Sequence, residues 1–253
     1  MAVDPRAASG FAGTADAYEL GRPSYPADAL EEIARLVPLG TGSAVLDLAA
    51  GTGKLTRLLV PLVGRVVAVD PSESMLAKLR DQVPGVDARL GTAERIPLRG
   101  GEVEAVFVAE AFHWFRVEEA TPEIARVLAP GGVLVVMSNR GSWSRDDLPW
   151  LDEFRDLVEP HRIASGEFPA GGDGWKELLA ASGRFSELSS SSYDYVHEVA
   201  PEAFVAQVAS WSWIANLADE ARRALLERVH ELVAAQTRVT LRYVTEVHWA
   251  RRL

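Results

Sequence analysis

The 253-residue sequence contains no cysteine. Disulfides, thiolate nucleophiles and cysteine-based metal sites are therefore excluded. Histidine is also scarce, with five residues at 113, 161, 197, 230 and 248. No two of them stand four apart, so the histidine pair of a zinc-binding helix is absent. No apolar run approaches the roughly 18 residues of a membrane span. The opening MAVDPRAASGFAG lacks the apolar stretch of a signal peptide. Positive charge is in deficit: 36 Asp and Glu against 26 Lys and Arg give a formal net charge of −10. Nucleic-acid binding needs cations to displace counterions from phosphates, and this balance opposes it. The expectation is a cytoplasmic protein acting on a small molecule, without a nucleic-acid or membrane partner, as a monomer or homodimer.

Composition is otherwise ordinary for a globular chain, with 48% hydrophobic and 25% charged residues. Residues 1–42 read as an N-terminal helical arm or lid, broken at Gly13 and at Gly21–Pro26. Within it, 28–37 has helical spacing. From 43 to 139 the pattern alternates. Strand-length apolar runs at Ala44–Ala49, Arg65–Val69, Val86–Leu90, Glu104–Ala109 and Val133–Ser138 enclose helical stretches at Lys54–Val63, Ser72–Val83 and Val117–Leu128. Such βα alternation predicts a parallel sheet with helices on both faces. Residues 140–253 complete the sheet. They are read as loops and helices over 140–184, one helix being Asp147–Val158. A strand follows over 187–199, a helical substrate lid over about 201–235, and a strand over 238–250. The fold class expected is α/β, with a Rossmann-like, mostly parallel seven-stranded sheet whose last strand is antiparallel.

The segment Val45–Thr56, VLDLAAGTGKLT, runs a strand through a small-residue turn into a helix. Ala49, Ala50, Gly51 and Gly53 let a ligand approach the backbone closely. The helix that follows offers unpaired N–H groups. A phosphate-binding P-loop is ruled out, because Leu55 stands where Ser or Thr is required and Leu48 where the first Gly is required. A dinucleotide fingerprint is weakened by Thr56 in its third glycine position. Asp47, just before the turn, favours a cationic ligand over a pyrophosphate. S-adenosylmethionine (SAM) carries an ammonium and a sulfonium and no phosphate. In Val66–Leu76, VVAVDPSESML, Asp70 closes the next strand, where a carboxylate can accept both ribose hydroxyls.

With these two motifs stand Gly91–Leu98 (GTAERIPL), Ala109–Phe115 (AEAFHWF), Leu128–Leu134 (LAPGGVL), Ala15–Pro26 and Thr245–Arg252. In their order and spacing the chain resembles the class I SAM-dependent methyltransferases, in particular the small-molecule branch that includes trans-aconitate methyltransferase. The resemblance implies SAM as cofactor, S-adenosylhomocysteine as product and no metal. It implies that Asp47 and the turn at Ala49, Gly51 and Gly53 hold the methionyl end, and that Asp70 holds the ribose. Thr92 and Ala93 would meet the adenine edge, and Pro71 and Phe112 would sandwich its ring. Met75 would join this cofactor set, and Glu110 would face the methionyl group. Tyr18 and Arg22 would close over the cofactor, Arg22 toward its carboxylate. Tyr25, Trp114, Trp211 and Trp213 are candidates for the acceptor site. Trp211 and Trp213, two apart on a helix, would face different ways. His113 is either a general base or a structural histidine.

The expected reaction is methyl transfer to a small-molecule oxygen, carboxylate or hydroxyl. A SAM-binding enzyme of another reaction type, a NAD-dependent oxidoreductase and a catalytically silent SAM-binding module are the alternatives. Asp70→Ala is expected to weaken cofactor binding with little effect on folding.

Overall fold

The alternation read from the sequence becomes a seven-stranded sheet in the computed structural model, which describes residues 15–166 and 172–253. The strands are β1 (Ala44–Leu48), β2 (Arg65–Asp70), β3 (Asp87–Leu90), β4 (Val103–Ala109), β5 (Leu128–Gly141), β6 (Ser189–Val199) and β7 (Val239–Arg251). Their order across the sheet is β3-β2-β1-β4-β5-β7-β6. The first five run parallel. Strand β7 enters in the opposite sense: the Ser142 N–H donates to the Arg242 carbonyl at 2.9 Å, and the Arg252 N–H to the Gly132 carbonyl at 2.8 Å. The mostly parallel sheet with an antiparallel last strand is thus as expected. The order reverses between β1 and β4, so the carboxyl ends of these two strands form the switch point at which open α/β sheets bind ligands.

The chain divides into two units. One comprises 25–139, 172–193 and 245–253. Its parallel strands are apolar on both faces, as burial between two helical layers requires. Leu46, Leu48, Val67, Val69, Val106, Val108, Leu134 and Val136 join one core with Val117, Ala120 and Ile124 of the helix Val117–Val127. The alternate residues Val45, Val66, Ala105, Phe107, Val133 and Val135 join a second core. There they meet Ala29, Leu30 and Ile33 of the helix Ala27–Leu36, and Leu55 and Leu59 of the helix Lys54–Leu59. The period of two along each strand sorts the side chains to the two faces.

The other unit comprises 15–24, 140–166 and 194–244. The boundary at 24/25 falls inside the stretch 1–42 read from the sequence as one arm; residues 1–14 of that arm, with Gly13, lie outside the described residues. This unit has its own core of Leu151, Phe154, Phe204, Val208, Leu225, Val229 and Leu241, among others. Its helices include α1 (Ala15–Gly21) and α8 (Pro201–Ala209), where α2 to α7 are Ala27–Leu36, Lys54–Leu59, Glu73–Gln82, Val117–Val127, Leu151–Ala164 and Trp175–Ala181. Helices α9 (Ser212–Ala215) and α10 (Asp219–Val233) follow. None of the described helices is long and apolar enough to cross a membrane.

Three elements differ from the sequence reading. The stretch 201–235 is three helices and not one. At the first break the Ser210 hydroxyl bonds the Gln207 carbonyl at 2.7 Å and Trp211 turns extended. At the second, the Asn216 amide bonds the Ser212 carbonyl at 2.7 Å and Ala218 is extended. Serine and asparagine compete in this way with the helical ladder. The helix expected at Asp147–Val158 is Leu151–Ala164. Ser144 instead organises a turn with Asp147, bonding its carboxylate at 2.8 Å. Strand β5 starts at Leu128, five residues early, and the extra length is absorbed by a register shift opposite Val103–Ala105.

Helices α1 and α8 pack backbone against backbone. A Cβ on Gly21 would stand 2.1 Å from the Gln207 nitrogen and 2.6 Å from the Ala203 carbonyl oxygen. Gly21→Ala must therefore push the two helices apart, at a cost of about 1–3 kcal/mol, the usual range for overpacking. Hydrogen exchange should speed up in both helices. Unchanged exchange would show that the contact is looser than this.

Candidate cofactor and active site

The site is built where β1 and β2 end. The backbone leaves β1 through Ala49, which has a left-handed φ of 61°. The N–H groups of Ala49 and Ala50 both donate to the Val69 carbonyl, at 2.7 and 3.1 Å, and this ties the turn to β2. Gly51 and Gly53 follow at φ 56° and 84°, a region that glycine enters without steric cost. Gly53 then opens helix α3 with a left-handed backbone, its own N–H donating to the Ala50 carbonyl at 2.9 Å.

Two buried carboxylates face this turn. Asp70 is 6% exposed. Its Oδ2 accepts the Gly51 N–H at 2.9 Å and its Oδ1 the Ser72 N–H at 2.8 Å. Burial pushes its pKa up to about 6, against the pull of those two N–H groups. Asp47 is 1% exposed and accepts the Thr56 hydroxyl at 2.6 Å. Burial, with the nearby Asp70 charge adding to it, pushes Asp47 up to about 7, the Thr56 hydrogen bond opposing. Two buried acids side by side suit a ligand that brings positive charge and hydroxyl donors. They repel a pyrophosphate.

The other predicted residues divide into three groups. Near the turn, Pro71 is exposed beside Asp70, and Met75 is buried on helix α4, where its N–H is capped by the Ser72 hydroxyl. Thr92 begins a tight turn closed by the Arg95 N–H, and the Ala93 side chain is buried in the core beneath it. At the end of β4, Glu110 has a left-handed φ of 57°, and its Oε1 accepts the Asn139 N–H at 2.5 Å. A 3-10 turn at Phe112–Trp114 follows at once. It leaves His113 and Trp114 half-buried, with ring centroids 5.4 Å apart.

The second group is in the core. Phe112 is buried, its ring 5.2 Å from that of Phe115 and 4.8 Å from that of Trp175. Of the pair expected to sandwich adenine, Pro71 is thus the exposed member. Tyr25 is buried among the residues packed on helix α2.

The third group belongs to the other unit. The Arg22 guanidinium donates to the Ser210 hydroxyl at 2.8 Å and to its carbonyl at 3.1 Å, and lies over the Tyr18 ring. Trp211 caps the short helix α9 and Trp213 lies within it, so their rings do not diverge as on a continuous helix. They stack 5.0 Å apart.

Sequence reasoning passed over Thr56, Ser72, Asn139 and Thr245. Thr56 had been read only as a missing glycine. Its place on the buried face of the helix, nine residues after Asp47, is the signal that pairs them. The loop at 91–98 is also clamped by unexpected residues. Glu123 accepts the Ile96 N–H at 3.0 Å, and Arg126 donates to the Ile96 and Leu98 carbonyls.

A mostly parallel sheet with its switch point at β1 and β4 defines a Rossmann-like α/β protein, with two buried acids at the glycine turn beside that point. Comparison with known proteins makes this specific. The family described as "Methyltransferase domain" matches residues 46–136. An uncharacterised methyltransferase of Mycobacterium tuberculosis is 38% identical over 225 residues, covering 88% of this chain and 85% of that one. A malonyl-[acyl-carrier protein] O-methyltransferase of Methylococcus capsulatus is 42% identical over 96 residues, 36% of this chain and 35% of that one. In fold, the chain is similar to the Haemonchus contortus phosphoethanolamine N-methyltransferase 2 in complex with SAM. The TM-score is 0.54 at 17% identity, over 94% of this chain and 56% of that one. The chain belongs to the class I SAM-dependent methyltransferases.

Contrary to the sequence expectation, Asp70→Ala should lower the stability of the free protein by about 1–3 kcal/mol near pH 3, where the carboxyl carries no ionisation penalty, because the Gly51 and Ser72 N–H groups lose their acceptor. Chemical denaturation reads this directly, and an unchanged midpoint would deny the carboxylate its structural role. At about pH 3 and below both acids are largely neutral in the folded and unfolded chains alike. As pH rises toward 7 the unfolded chain releases these protons first, so the two groups increasingly oppose folding. The penalty is complete once both are ionised in the folded protein. Asp47→Asn should therefore gain stability relative to the parent between pH 4 and 7. A difference independent of pH would mean that Asp47 is ionised throughout.

Proposed function

We propose that this methyltransferase transfers its methyl group to an oxygen, carboxylate or hydroxyl, of a small molecule in the cytoplasm. The observation that carries the reading is the turn after β4. The left-handed Glu110 swings the chain into a 3-10 turn that presents His113 and Trp114, half-buried, directly after the switch-point strand. An acceptor bound at that edge would lie next to the turn that takes the cofactor. One relative is named for O-methylation, of malonyl-[acyl-carrier protein].

In this reading Asp70 accepts the ribose hydroxyls. The backbone at Ala49, Gly51 and Gly53 lines the methionyl end, with Asp47 behind it. Thr92 and the Ala93 amide border the adenine edge, and Pro71 covers one face of the ring. The bound cofactor supplies an electrophilic methyl on a sulfonium. The protein's task is then to align an oxygen about 3 Å from that methyl, opposite the sulfur, and to exclude water. A carboxylate acceptor is already an anion. A hydroxyl must lose a proton, and the His113 imidazole is the group offered to take it.

Methyl-labelled SAM, incubated with panels of small carboxylic acids, alcohols and phenols, tests the reading. Labelled product and S-adenosylhomocysteine should appear together. A methyl ester releases methanol in mild alkali and a methyl ether does not, so the product reports which oxygen was used. With a hydroxyl acceptor, His113→Ala should cut turnover by about 10²–10⁴ and spare cofactor affinity. With a carboxylate acceptor the rate should persist. Methylation confined to nitrogen or carbon would overturn the proposal.

A further inference from the structure

Glu110 and Ala49 are the only non-glycine residues with left-handed backbone among those described. Such a conformation costs free energy in a residue with a side chain, and it persists only where its surroundings hold it. At Ala49 the reason is visible in the glycine turn. At Glu110, what holds the residue is a chain of hydrogen bonds across three neighbouring strands. The Glu110 N–H donates to the Met137 carbonyl at 2.9 Å. The Glu110 carboxylate accepts the Asn139 N–H. The Asn139 side-chain oxygen in turn accepts the Thr245 hydroxyl at 2.6 Å. Thr245 is fully buried on β7, opposite Asn139 in the antiparallel ladder. The chain runs from β7 through β5 to the end of β4, along the carboxyl edge of the switch point.

A carboxylate that only capped a strand end would not need a strained backbone, since water serves such groups at no conformational cost. Strain combined with a fixed orientation is the signature of a group held for a ligand. The ligand's chemistry follows from the charge. Among the parts of SAM that could meet an anion at this edge, the ribose hydroxyls are assigned to Asp70 in the reading above, on which this inference rests. Of the two cationic groups, the sulfonium has no N–H or O–H to donate, so the cationic donor that a fixed carboxylate would meet is the α-ammonium of the aminocarboxypropyl arm.

We infer that Asn139 and Thr245 are positioning residues that fix the Glu110 carboxylate for the α-ammonium of the cofactor. Thr245 locks the Asn139 side chain, and the Asn139 backbone then presents its N–H to Glu110. The geometry of the carboxylate is thus set from β7, two strands away.

Calorimetric titration with two ligands tests this. S-adenosylhomocysteine carries the ammonium. Methylthioadenosine shares its adenosine and thioether and lacks the aminocarboxypropyl arm. Glu110→Gln, nearly isosteric, should weaken S-adenosylhomocysteine roughly tenfold or more, the range for a charge-assisted hydrogen bond. It should leave methylthioadenosine within about twofold. Asn139→Ala and Thr245→Val should show the same selective loss, about threefold to tenfold, and Thr245→Ser should restore affinity.

Equal loss for both ligands in the Thr245 and Asn139 variants, or a lower melting temperature with unchanged affinities, would reduce the chain to a structural link and overturn the inference. Normal binding of S-adenosylhomocysteine by Glu110→Gln would overturn it too. If Asp70→Ala weakens both ligands in the same experiments, the cofactor reading survives that failure. If Asp70→Ala binds both normally, the cofactor reading falls with it.

Discussion

The arrangement turns on one buried carboxylate. Asp70 ends β2, yet its two oxygens are spent on the Gly51 N–H of the β1 turn and on the Ser72 N–H that opens helix α4. A single acidic side chain therefore sets the shape of two loops from two strands. The arrangement works against the acid's own ionisation, because burial favours the neutral form. Asp47, held by Thr56 and repelled by Asp70, carries the same cost in larger measure. A ligand that brings hydroxyl donors and positive charge relieves both.

Strain follows the same geography. The left-handed residues Ala49 and Glu110 end β1 and β4, the pair of parallel neighbours between which the strand order reverses. The rest of the sheet is regular: apolar side chains alternate between two helical layers, and each parallel pair keeps register apart from the shift where β5 begins. The regular body supplies the stability against which a few unfavourable backbone positions are maintained at the edge where ligands bind.

Much of this was legible in the sequence, for identifiable reasons. Continuous apolar strands and intervening helical periodicity report burial on both faces, which is a local property. So does the glycine turn. Asp70 could be picked out because it recurs at the next strand end. What escaped were partners fixed by tertiary packing. Thr56 carries no sign that its hydroxyl meets Asp47, except for its place on the buried face of the helix. Asn139 and Thr245 are 106 positions apart and meet only because β7 inserts beside β5. Phe112 was expected at a ligand and is buried, because nothing in the sequence tells which ring of AFHWF turns inward. The helix breaks at Ser210 and Asn216 were missed for a simpler reason. Helical apolar spacing continues across them, and the side-chain bonds that interrupt the ladder do not alter that spacing.

The central claim is that Asp70 and the turn it shapes receive the nucleoside of SAM. A structure determined with S-adenosylhomocysteine bound tests this most directly. The account predicts both ribose hydroxyls within hydrogen-bond distance of the Asp70 carboxylate, with the homocysteine end running past Ala49 and Gly51 toward Glu110. A ribose bound elsewhere, with Asp70 making only its two backbone contacts, would contradict it.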